Sequence, residues 1–481
     1  MNKAKIAVVG GGVAGSTAAL YLGEIGLNVT LFEKGRSLIS GPPFCHLHAG
    51  GNLYREISDE QCITLLGQSI DLLRFYPYSV DFRPTVIAVP VEDSSTPQAL
   101  FPRLEKLKEA YERLISADPG NKVLGDSSDY YKVYDRKRIE RLKKMHIPPK
   151  PASFDEWMIP VAKNIDLDKV QFPLIMVQEY GLNLFRMAAT ISLLLEEIGT
   201  CQVRTDTEVV NIASESDTGR WRVRYLQEGR KEEECFDYLI NAAGFRTGMI
   251  DDMLGFTRQR MVEFKAAYVT KWDACEGIWP EVVFYGERGT PQGMGQFTPY
   301  PNGYFQLHGM TKSITLFDNG LVKSTGESAQ PRLTKHFMEK IDRNWKFTEA
   351  AQRSRSAVKH LSRFIPAFEK GKVASKPLYG AQQIPGMDPS LRAADVSFES
   401  DHYARCEIIK ASSVLSMMDQ IMQRLVKLGY AEESLYGKRD FPHLDTLSER
   451  QVDAYAERIC EERDYPLSLA YRNVPHVIGN S

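Results

Sequence analysis

Three glycines near the start of the chain have the spacing of a nucleotide-binding turn. Gly10, Gly12 and Gly15 form G-x-G-x-x-G directly after the apolar, β-branched residues 6–9. In such a turn the first glycine permits a tight bend, the second lets backbone amides approach a pyrophosphate, and the third lets a helix pack on the strand. The N-terminus of that helix offers unpaired N–H groups to phosphates. The spacing predicts a dinucleotide site; the alternative is a glycine-rich turn without chemical consequence.

An acid follows at the position where a nucleotide ribose would lie. Residues 18–22 have a helical pattern, residues 29–32 are a second apolar strand, and that strand ends in Glu33. We expect Glu33 to accept hydrogen bonds from ribose hydroxyls. The segment V-T-L-F-E-K-G around Glu33 resembles the FAD-binding opening of glutathione-reductase-like flavoproteins, where this fingerprint holds the ADP half of FAD. The resemblance therefore implies FAD as the cofactor.

A second fingerprint for a nicotinamide cofactor is not found. Residues 286–295 contain glycines but lack both the spacing and a following helix. A pyridine-nucleotide reductase of this kind would need such a second site. We therefore expect O2, a quinone or a protein as the electron acceptor.

The elements that must position this site are predicted from the remaining pattern. Residues 182–197 are an apolar helix, and a strand, turn and strand follow over residues 201–212. Residues 221–226 and 236–240 continue a small antiparallel unit. It ends in the small residues 241–244, which resemble the second cofactor-contacting turn of the same flavoproteins, where the backbone passes close to FAD.

The residue composition of the chain changes near residue 259. Short aromatic or β-branched runs, separated by Gly, Pro and Asn, predict a mixed or antiparallel sheet. These runs cover residues 262–272, 282–285, 296–299, 304–308 and 314–317. A helix over residues 356–365 is then expected. Later, a buried strand over 406–409 leads to a helix over 414–428, and Ser412 and Ser413 are able to cap that helix.

Two segments lie outside this plan. Residues 102–118 are a charged helix, and residues 132–150 contain eight Lys or Arg against two acids. The basic stretch is either a peripheral docking surface for anionic lipid or a solvated helix face. Residues 430–481 form a polar extension that is helical at least over 448–462, and the sequence indicates no role for it.

Composition limits the class of protein. The 481 residues have a net charge of −2 and 43 % hydrophobic residues, which excludes a largely disordered chain and gives no reason to expect nucleic-acid binding. The seven cysteines include no CxxC pair, so we expect no metal site, no disulfide framework and a reducing, cytoplasmic location. No apolar run reaches the length of a membrane helix.

Four motifs together resemble one family. They are the fingerprint, His48-Ala49-Gly50, residues 241–244, and residues 380–399 followed by 410–413. The chain resembles the D-amino-acid-oxidase-like FAD oxidoreductases, and within them the L-2-hydroxyglutarate oxidase and dehydrogenase branch. The resemblance implies an α/β protein in which a Rossmann-like FAD-binding domain, with a ββα sheet and a small antiparallel meander, is interleaved with an α+β substrate domain that contains a mixed or antiparallel sheet.

The expected domain boundaries follow from the same motifs. The FAD-binding domain is expected in three segments, 1–90, 170–258 and 373–428. The other units are a helical, basic insertion at 91–169, a substrate domain at 259–372 and a C-terminal helical extension at 429–481. The residues expected to contact the cofactor are Gly10, Gly12, Val13, Ala14, Gly15, Glu33, Lys34, His48, Ala49, Gly50, Val209, Ala242, Ala243, Gly244, Ser412 and Ser413.

Histidines are the candidates for proton transfer during hydride transfer to flavin N5. A histidine suits this step because its pKa lies near working pH. His48 is the first candidate, since Ala49 and Gly50 let its loop approach the flavin; a structural histidine bonded to backbone is the alternative. His46 is second, and His308, at the end of a predicted strand, could face the same site.

The substrate is expected to be a small 2-hydroxy acid or amine, although the late motif departs from the family pattern. The family usually carries there an arginine that clamps a carboxylate. Here Gln382 and Gln383 occupy that neighbourhood and are candidate substrate contacts, and Arg392 is a displaced candidate clamp. The alternatives are a flavin-dependent monooxygenase or halogenase and a non-catalytic FAD-bound assembly or redox sensor. The first usually has a late Gly-Asp segment, whereas the one Gly-Asp here is Gly125-Asp126.

Overall fold

The computed structural model describes residues 4–41, 57–215, 219–343 and 345–475. Its strands are β1 Lys5–Val9, β2 Asn28–Phe32, β3 Val80–Asp81, β4 Thr85–Ala88, β5 Tyr131–Tyr134, β6 Leu174–Val177, β7 Gly181–Leu182, β8 Cys201–Arg204, β9 Thr207–Ser214, β10 Trp221–Gln227, β11 Arg230–Phe236, β12 Tyr238–Asn241, β13 Arg260–Lys271, β14 Glu281–Phe284, β15 Gly295–Tyr300, β16 Tyr304–Gly309, β17 Leu321–Lys323, β18 Lys372–Val373, β19 Leu378–Pro385, β20 Val396–Ser400 and β21 Tyr403–Cys406. Its helices are α1 Val13–Glu24, α2 Asp59–Phe75, α3 Phe101–Ala117, α4 Arg136–Leu142, α5 Phe154–Asn164, α6 Leu184–Glu197, α7 Thr247–Leu254, α8 Lys335–Asp342, α9 Phe347–Ser362, α10 Val414–Lys427 and α11 Glu449–Glu462.

The first sheet has the order β20-β21-β12-β1-β2-β8. Strand β1 pairs in parallel with β2 and with β12, and α1 crosses between β1 and β2. The apolar residues of β1 are buried, as expected for a central strand that is covered on both faces. The Rossmann-like part of the predicted fold is confirmed.

A three-stranded antiparallel sheet, β11-β10-β9, forms the predicted small meander. The sequence wrongly assigned residues 236–240 to it. Residue 236 ends β11, whereas β12 lies beside β1 in the parallel sheet. The burial of the two strands gives the reason: every residue of β12 is buried, and β11 exposes most of its length.

The large sheet runs β17-β13-β16-β15-β14-β4-β6-β5, with β18 and β19 paired to β13. It contains both parallel and antiparallel pairs, as predicted. The expected domain boundaries divide this sheet. The segments expected to form the FAD-binding domain contain β4, β6 and β19, and the expected insertion contains β5. Strand β4 pairs with β14, almost 200 residues away in sequence, and short-range patterns do not show such pairing. Residues 314–317 are a turn and not a strand, since the Thr315 side chain and amide close it onto Gly309.

The basic stretch forms β5 and the short helix α4. Several of its cations are paired: Lys132 and Arg138 with Asp155, and Arg136 with Asp168 and Glu140. This pairing reduces the free positive charge of the surface below what the sequence count suggests. Within the described ranges, none of the helices is long and apolar enough to cross a membrane.

The C-terminal extension packs along the body of the protein. The buried Arg186 of α6 pairs with Glu449 and Asp453 of α11, and Asn183 donates to the carbonyl of Leu469. Ser448 and Gln451 form a capping box at the start of α11. The extension is therefore an integral part of the fold and contacts the first sheet's helical layer.

Candidate active site

The fingerprint glycines have different surroundings. A Cβ on Gly10, whose φ is +105°, would lie 2.4 Å from the carbonyl oxygen of Ala242, and a Cβ on Gly15 would lie 1.8 Å from that of Gly10. A Cβ on Gly12 would have no described heavy atom within 4 Å. Gly10 and Gly15 thus permit close backbone packing, and Gly12 faces open space.

That open space belongs to a cavity of about 530 Å³ at the carboxyl ends of β1, β2 and β12. Such an edge of a parallel sheet is where open α/β folds bind ligands. Most of the predicted cofactor contacts line the cavity, namely Gly10, Gly12, Val13, Ala14, Glu33, Lys34, Val209, Ala242, Ala243 and Gly244. Gly12 is the N-cap of α1 and supplies no side-chain acceptor, so the first-turn amides face the cavity uncapped. The cavity therefore fits the pyrophosphate of FAD.

The carboxylate of Glu33 joins two backbone turns. One oxygen accepts a hydrogen bond from the amide of Gly11 and the other from the amide of Gly35, both at 2.6 Å. Each oxygen keeps a further lone pair. Glu33 can therefore hold the turn and still has the capacity to accept a ribose hydroxyl; that role stays a prediction. Beside it, Lys34 pairs with Glu208 at 2.7 Å.

Several predicted contacts do not line the cavity. Ser412 and Ser413 are buried, and the hydroxyl of Ser413 donates to Gln68 at 2.8 Å. Neither caps α10 through its side chain, because a short 3-10 turn precedes the helix. Lys410 and Ala411 face the cavity in their place. Three other predicted residues do not line the cavity either: Gly15 lies inside α1, and neither His308 nor Arg392 is a lining residue.

Four candidates cannot be placed. His46, His48, Ala49 and Gly50 lie outside the described residues. The role expected for them stays a prediction. Ser40 and Gly41, at the end of the described segment before them, line the cavity.

The large sheet has a polar face that begins on its central strands. Gln296 lies opposite His308, and Thr298 lies opposite Gln306, so the four side chains share one face. Gln296 and Thr298 both donate to the buried carboxylate of Glu281. His308 is 6 % exposed. Polar groups are rarely buried in this number without a functional or structural partner.

The same face continues on β13 and reaches the cavity. Tyr268 on β13 lies opposite Leu307 on β16, and both side chains point to the face opposite that of His308. Because side chains alternate along a strand, Lys265 and Glu263 lie on the same face as His308. The ammonium of Lys265 donates to the side-chain oxygen of Gln382 at 3.0 Å, and Gln382 lines the cavity. The structure thus brings His308 and Gln382 onto one surface, although the sequence placed them 74 residues apart.

Cations predominate beside Gln382, which lines the cavity. Glu263 pairs with Lys265 at 2.9 Å and with Arg288. Burial alone would raise the pKa of Glu263, but the charges of Lys265 and Arg288 lower it below its usual value. Burial lowers the pKa of Lys265, although Glu263 opposes this effect. The positive charge of Arg392 also lowers the pKa of both groups.

Gln383 joins the cavity to a buried charge network. Its side chain accepts from Thr247 at 2.7 Å and donates to the carbonyl of Cys406 at 2.8 Å. Arg260 donates to Thr247 and pairs with Asp251. The network fixes the side-chain amide of Gln383 at the cavity wall.

Lys265 and Arg288 were not identified from the sequence. Lys265 stands two residues after Glu263 in a strand that is otherwise largely apolar. Two charges at alternate positions of a buried strand indicate a polar patch on one face, and this signal could have identified Lys265. Arg288 lies in a loop, where local pattern gives no indication of its partner.

Comparison with known proteins identifies relatives of this architecture. Residues 5–124 match the model of a family described as FAD dependent oxidoreductase, DAO. No curated protein sequence matches the chain. The sequence match therefore covers the fingerprint, β4 and α3.

Solved structures share the fold at low sequence identity. Glycine oxidase from Geobacillus kaustophilus is 12 % identical, with a TM-score of 0.54 over 91 % of this chain and 99 % of its own. L-amino acid deaminase from Proteus vulgaris is 13 % identical, with a TM-score of 0.55 over 88 % and 94 %. The glycerol-3-phosphate dehydrogenase from Bacillus halodurans, solved in complex with FAD, is 11 % identical, with a TM-score of 0.53 over 97 % and 74 %.

The family model matches only the N-terminal quarter, whereas the solved structures share the fold over most of the chain. Neither comparison singles out the L-2-hydroxyglutarate branch. The match over residues 5–124 and the cavity at the fingerprint identify an FAD-dependent oxidoreductase that is similar to the DAO family and has FAD as its cofactor.

Proposed function

We propose that the protein oxidises a small organic anion that carries an amine or a hydroxyl group on a carbon near its anionic group, as in a 2-amino or 2-hydroxy acid. FAD, when bound, supplies the acceptor for the hydride that leaves this carbon. The observation that carries the proposal is the pairing of Lys265 and Arg288 with one carboxylate, Glu263, next to Gln382. The excess of positive charge favours an anionic group of the substrate.

The chain's own residues have distinct tasks in this proposal. Lys265 and Arg288 attract the carboxylate, and the amides of Gln382 and Gln383 orient the substrate at the cavity wall. His308, on the same face of the sheet, and His48 remain the predicted acceptors for the proton of the hydroxyl or ammonium group. An alcohol then leaves as a ketone, whereas an amine leaves as an imine that water hydrolyses.

Two substrate classes fit this geometry. The likeness to glycine oxidase and L-amino acid deaminase supports an amine, and the likeness to a glycerol-3-phosphate dehydrogenase supports an alcohol with an anionic group. The 2-hydroxyglutarate substrate implied by the sequence motifs belongs to the second class.

The proposal is tested with purified holoprotein and a panel of amino acids, 2-hydroxy acids including 2-hydroxyglutarate, and glycerol 3-phosphate. We expect formation of a 2-oxo acid or ketone from at least one acid, with O2 consumption or reduction of an added quinone. Oxidation of neutral amines or alcohols in preference to every acid would contradict the anionic subsite.

We propose O2 or a quinone as the acceptor, in a cytoplasmic protein. A membrane quinone would require contact with lipid, and the exposed cations at 137, 141, 143, 144 and 150 are the surface available for it. Sedimentation with vesicles that contain anionic lipid tests this contact. Vesicles of neutral lipid are the control, and equal binding to both would refute a charge-based contact.

A further inference from the structure

The C-terminal extension reaches the cofactor-binding part of the molecule through one arginine. Arg463 is the C-cap of α11, and its guanidinium lies over the ring of Phe185. It donates to the carbonyl oxygens of Ile39 at 3.0 Å and Leu38 at 2.6 Å, and to the hydroxyl of Ser37 at 2.9 Å. Among the described residues, no carboxylate lies within ion-pair distance of it. Its hydrogen bonds are thus directed at a single backbone segment.

That segment is held against the fingerprint turn. The amide of Ile39 donates to the carbonyl oxygen of Gly11 at 2.8 Å, and a Cβ on Gly11 would lie 2.7 Å from a methyl carbon of Leu38. The amide of Gly11 in turn donates to Glu33. Arg463, segment 37–39 and the fingerprint therefore form one connected set of contacts.

The backbone of this segment needs an external support. Ile39 has a φ of +53°, in the left-handed region that a β-branched residue rarely adopts. Such a conformation persists where surrounding contacts determine it. Gly11 supports the amide of Ile39, and Arg463 supports its carbonyl. The next residues, Ser40 and Gly41, line the cavity.

We propose that Arg463 is a positioning residue for the FAD site. By holding segment 37–39 in its left-handed turn against Gly11, it fixes the wall of the cavity next to Glu33. The C-terminal extension therefore sets the affinity for the ADP half of the cofactor without contacting the reacting atoms.

Other contacts anchor the extension independently of Arg463. Arg186 pairs with Glu449 and Asp453, and the hydroxyl of Tyr465 donates to the carbonyl of Pro377 at 2.7 Å. Replacement of Arg463 should therefore leave α11 in place. This makes the proposal testable with folded protein.

The experiment compares Arg463→Met with Arg458→Met. Arg458 is an exposed arginine on the same helix, and among the described residues it pairs with Glu462 at 3.8 Å and stacks on Tyr455. FAD and ADP are titrated separately into apoprotein prepared from the full chain. For Arg463→Met we expect the dissociation constants of both ligands to rise at least about tenfold. Arg458→Met should stay within about twofold of the parent.

Two further variants separate positioning from loss of structure. Arg463→Lys keeps the charge but not the forked donors, and Ser37→Ala removes one acceptor, so both should show a smaller rise. The thermal midpoint of the Ser37→Ala apoprotein should match the parent, which keeps the test decisive if Arg463→Met does not fold. Parental ADP affinity in Ser37→Ala and Arg463→Lys would overturn the proposal, as would equal losses in Arg463→Met and Arg458→Met.

Discussion

The carboxylate of Glu33 accepts a hydrogen bond from the amide of Gly11 at 2.6 Å. This bond joins the end of β2 to the turn after β1, so the acid expected to bind the ribose also shapes the turn expected to bind the pyrophosphate. A second bond, from the amide of Gly35, fixes the other oxygen. Cofactor affinity and folding stability should therefore depend on the same side chain.

Replacement of Glu33 with Gln should affect both properties. The side-chain amide supplies one acceptor oxygen and turns its NH2 group toward a backbone donor, so one hydrogen bond is lost. We expect the free energy of unfolding of the apoprotein to fall by about 1.5–3 kcal/mol and FAD to bind at least about tenfold more weakly. Denaturant unfolding and FAD titration measure the two effects. Glu208→Gln, at the cavity rim, is the control, and an equal loss of affinity there would contradict a specific role for Glu33.

Substitutions of two fingerprint glycines should affect FAD binding and folding stability separately. The Cβ of Gly12→Leu would enter open space, so the apoprotein should fold with near-parental stability and fail to bind FAD. The Cβ of Gly15→Ala would overlap the carbonyl of Gly10 and should cost about 1–3 kcal/mol of stability. The flavin-to-protein ratio and the thermal midpoint distinguish the two variants. Full flavin content in Gly12→Leu would refute the pyrophosphate site.

Lys265 should give substrate binding a dependence on pH. Burial lowers its pKa below the ordinary value of 10.5, so the ammonium loses its proton, and with it the positive charge, at a lower pH than an exposed lysine does. We expect KM for an anionic substrate to rise as pH increases through this lowered pKa. Lys265→Met should have a high KM at every pH, whereas Lys265→Arg should remove only the inflection. A parental pH profile in Lys265→Met would exclude the group from binding.

Asp251 should be a large contributor to stability behind the cavity. It is fully buried and pairs with both Arg260 and Arg405. Asp251→Asn removes the carboxylate that pairs with the buried Arg260 and leaves Arg405 with its pair to Glu399, and we expect a loss of about 3–5 kcal/mol. Tyr403→Phe removes two hydrogen bonds, the one donated to Asp251 and the one accepted from Asn241, and should cost about 1–3 kcal/mol. If denaturant unfolding gave the same loss of unfolding free energy for both variants, the buried ion pairs of Asp251 would not be a large contributor to stability.

The sequence predicted well what depends on short-range pattern. The run of residues 6–9, the glycine spacing and Glu33 lie within one βαβ unit, so local periodicity and turn chemistry were sufficient to place β1, α1 and β2. The charged helix expected over 102–118 corresponds to α3. These elements depend little on distant partners.

The rest depends on pairing between distant segments. Strand β4 joins the large sheet through β14, and the neighbourhood of Gln382 and Lys265 arises because β19 lies beside β13. Sequence spacing contains no direct signal for either pairing. Ser413 illustrates the same limit, since a hydroxyl before a helix predicts a cap, yet its partner is Gln68 from a different helix. His48 lies outside the described residues, and its role stays a prediction.

The central claim is that a small anionic acid reduces FAD bound in the cavity of this protein. Its most direct test is the anaerobic loss of the visible absorption band of oxidised flavin, recorded after mixing holoprotein with each acid of the panel or with NADH or NADPH. The account predicts bleaching by at least one amino acid, 2-hydroxy acid or glycerol phosphate, and none by the nicotinamides. Bleaching by NADH or NADPH alone would contradict it and would favour a monooxygenase.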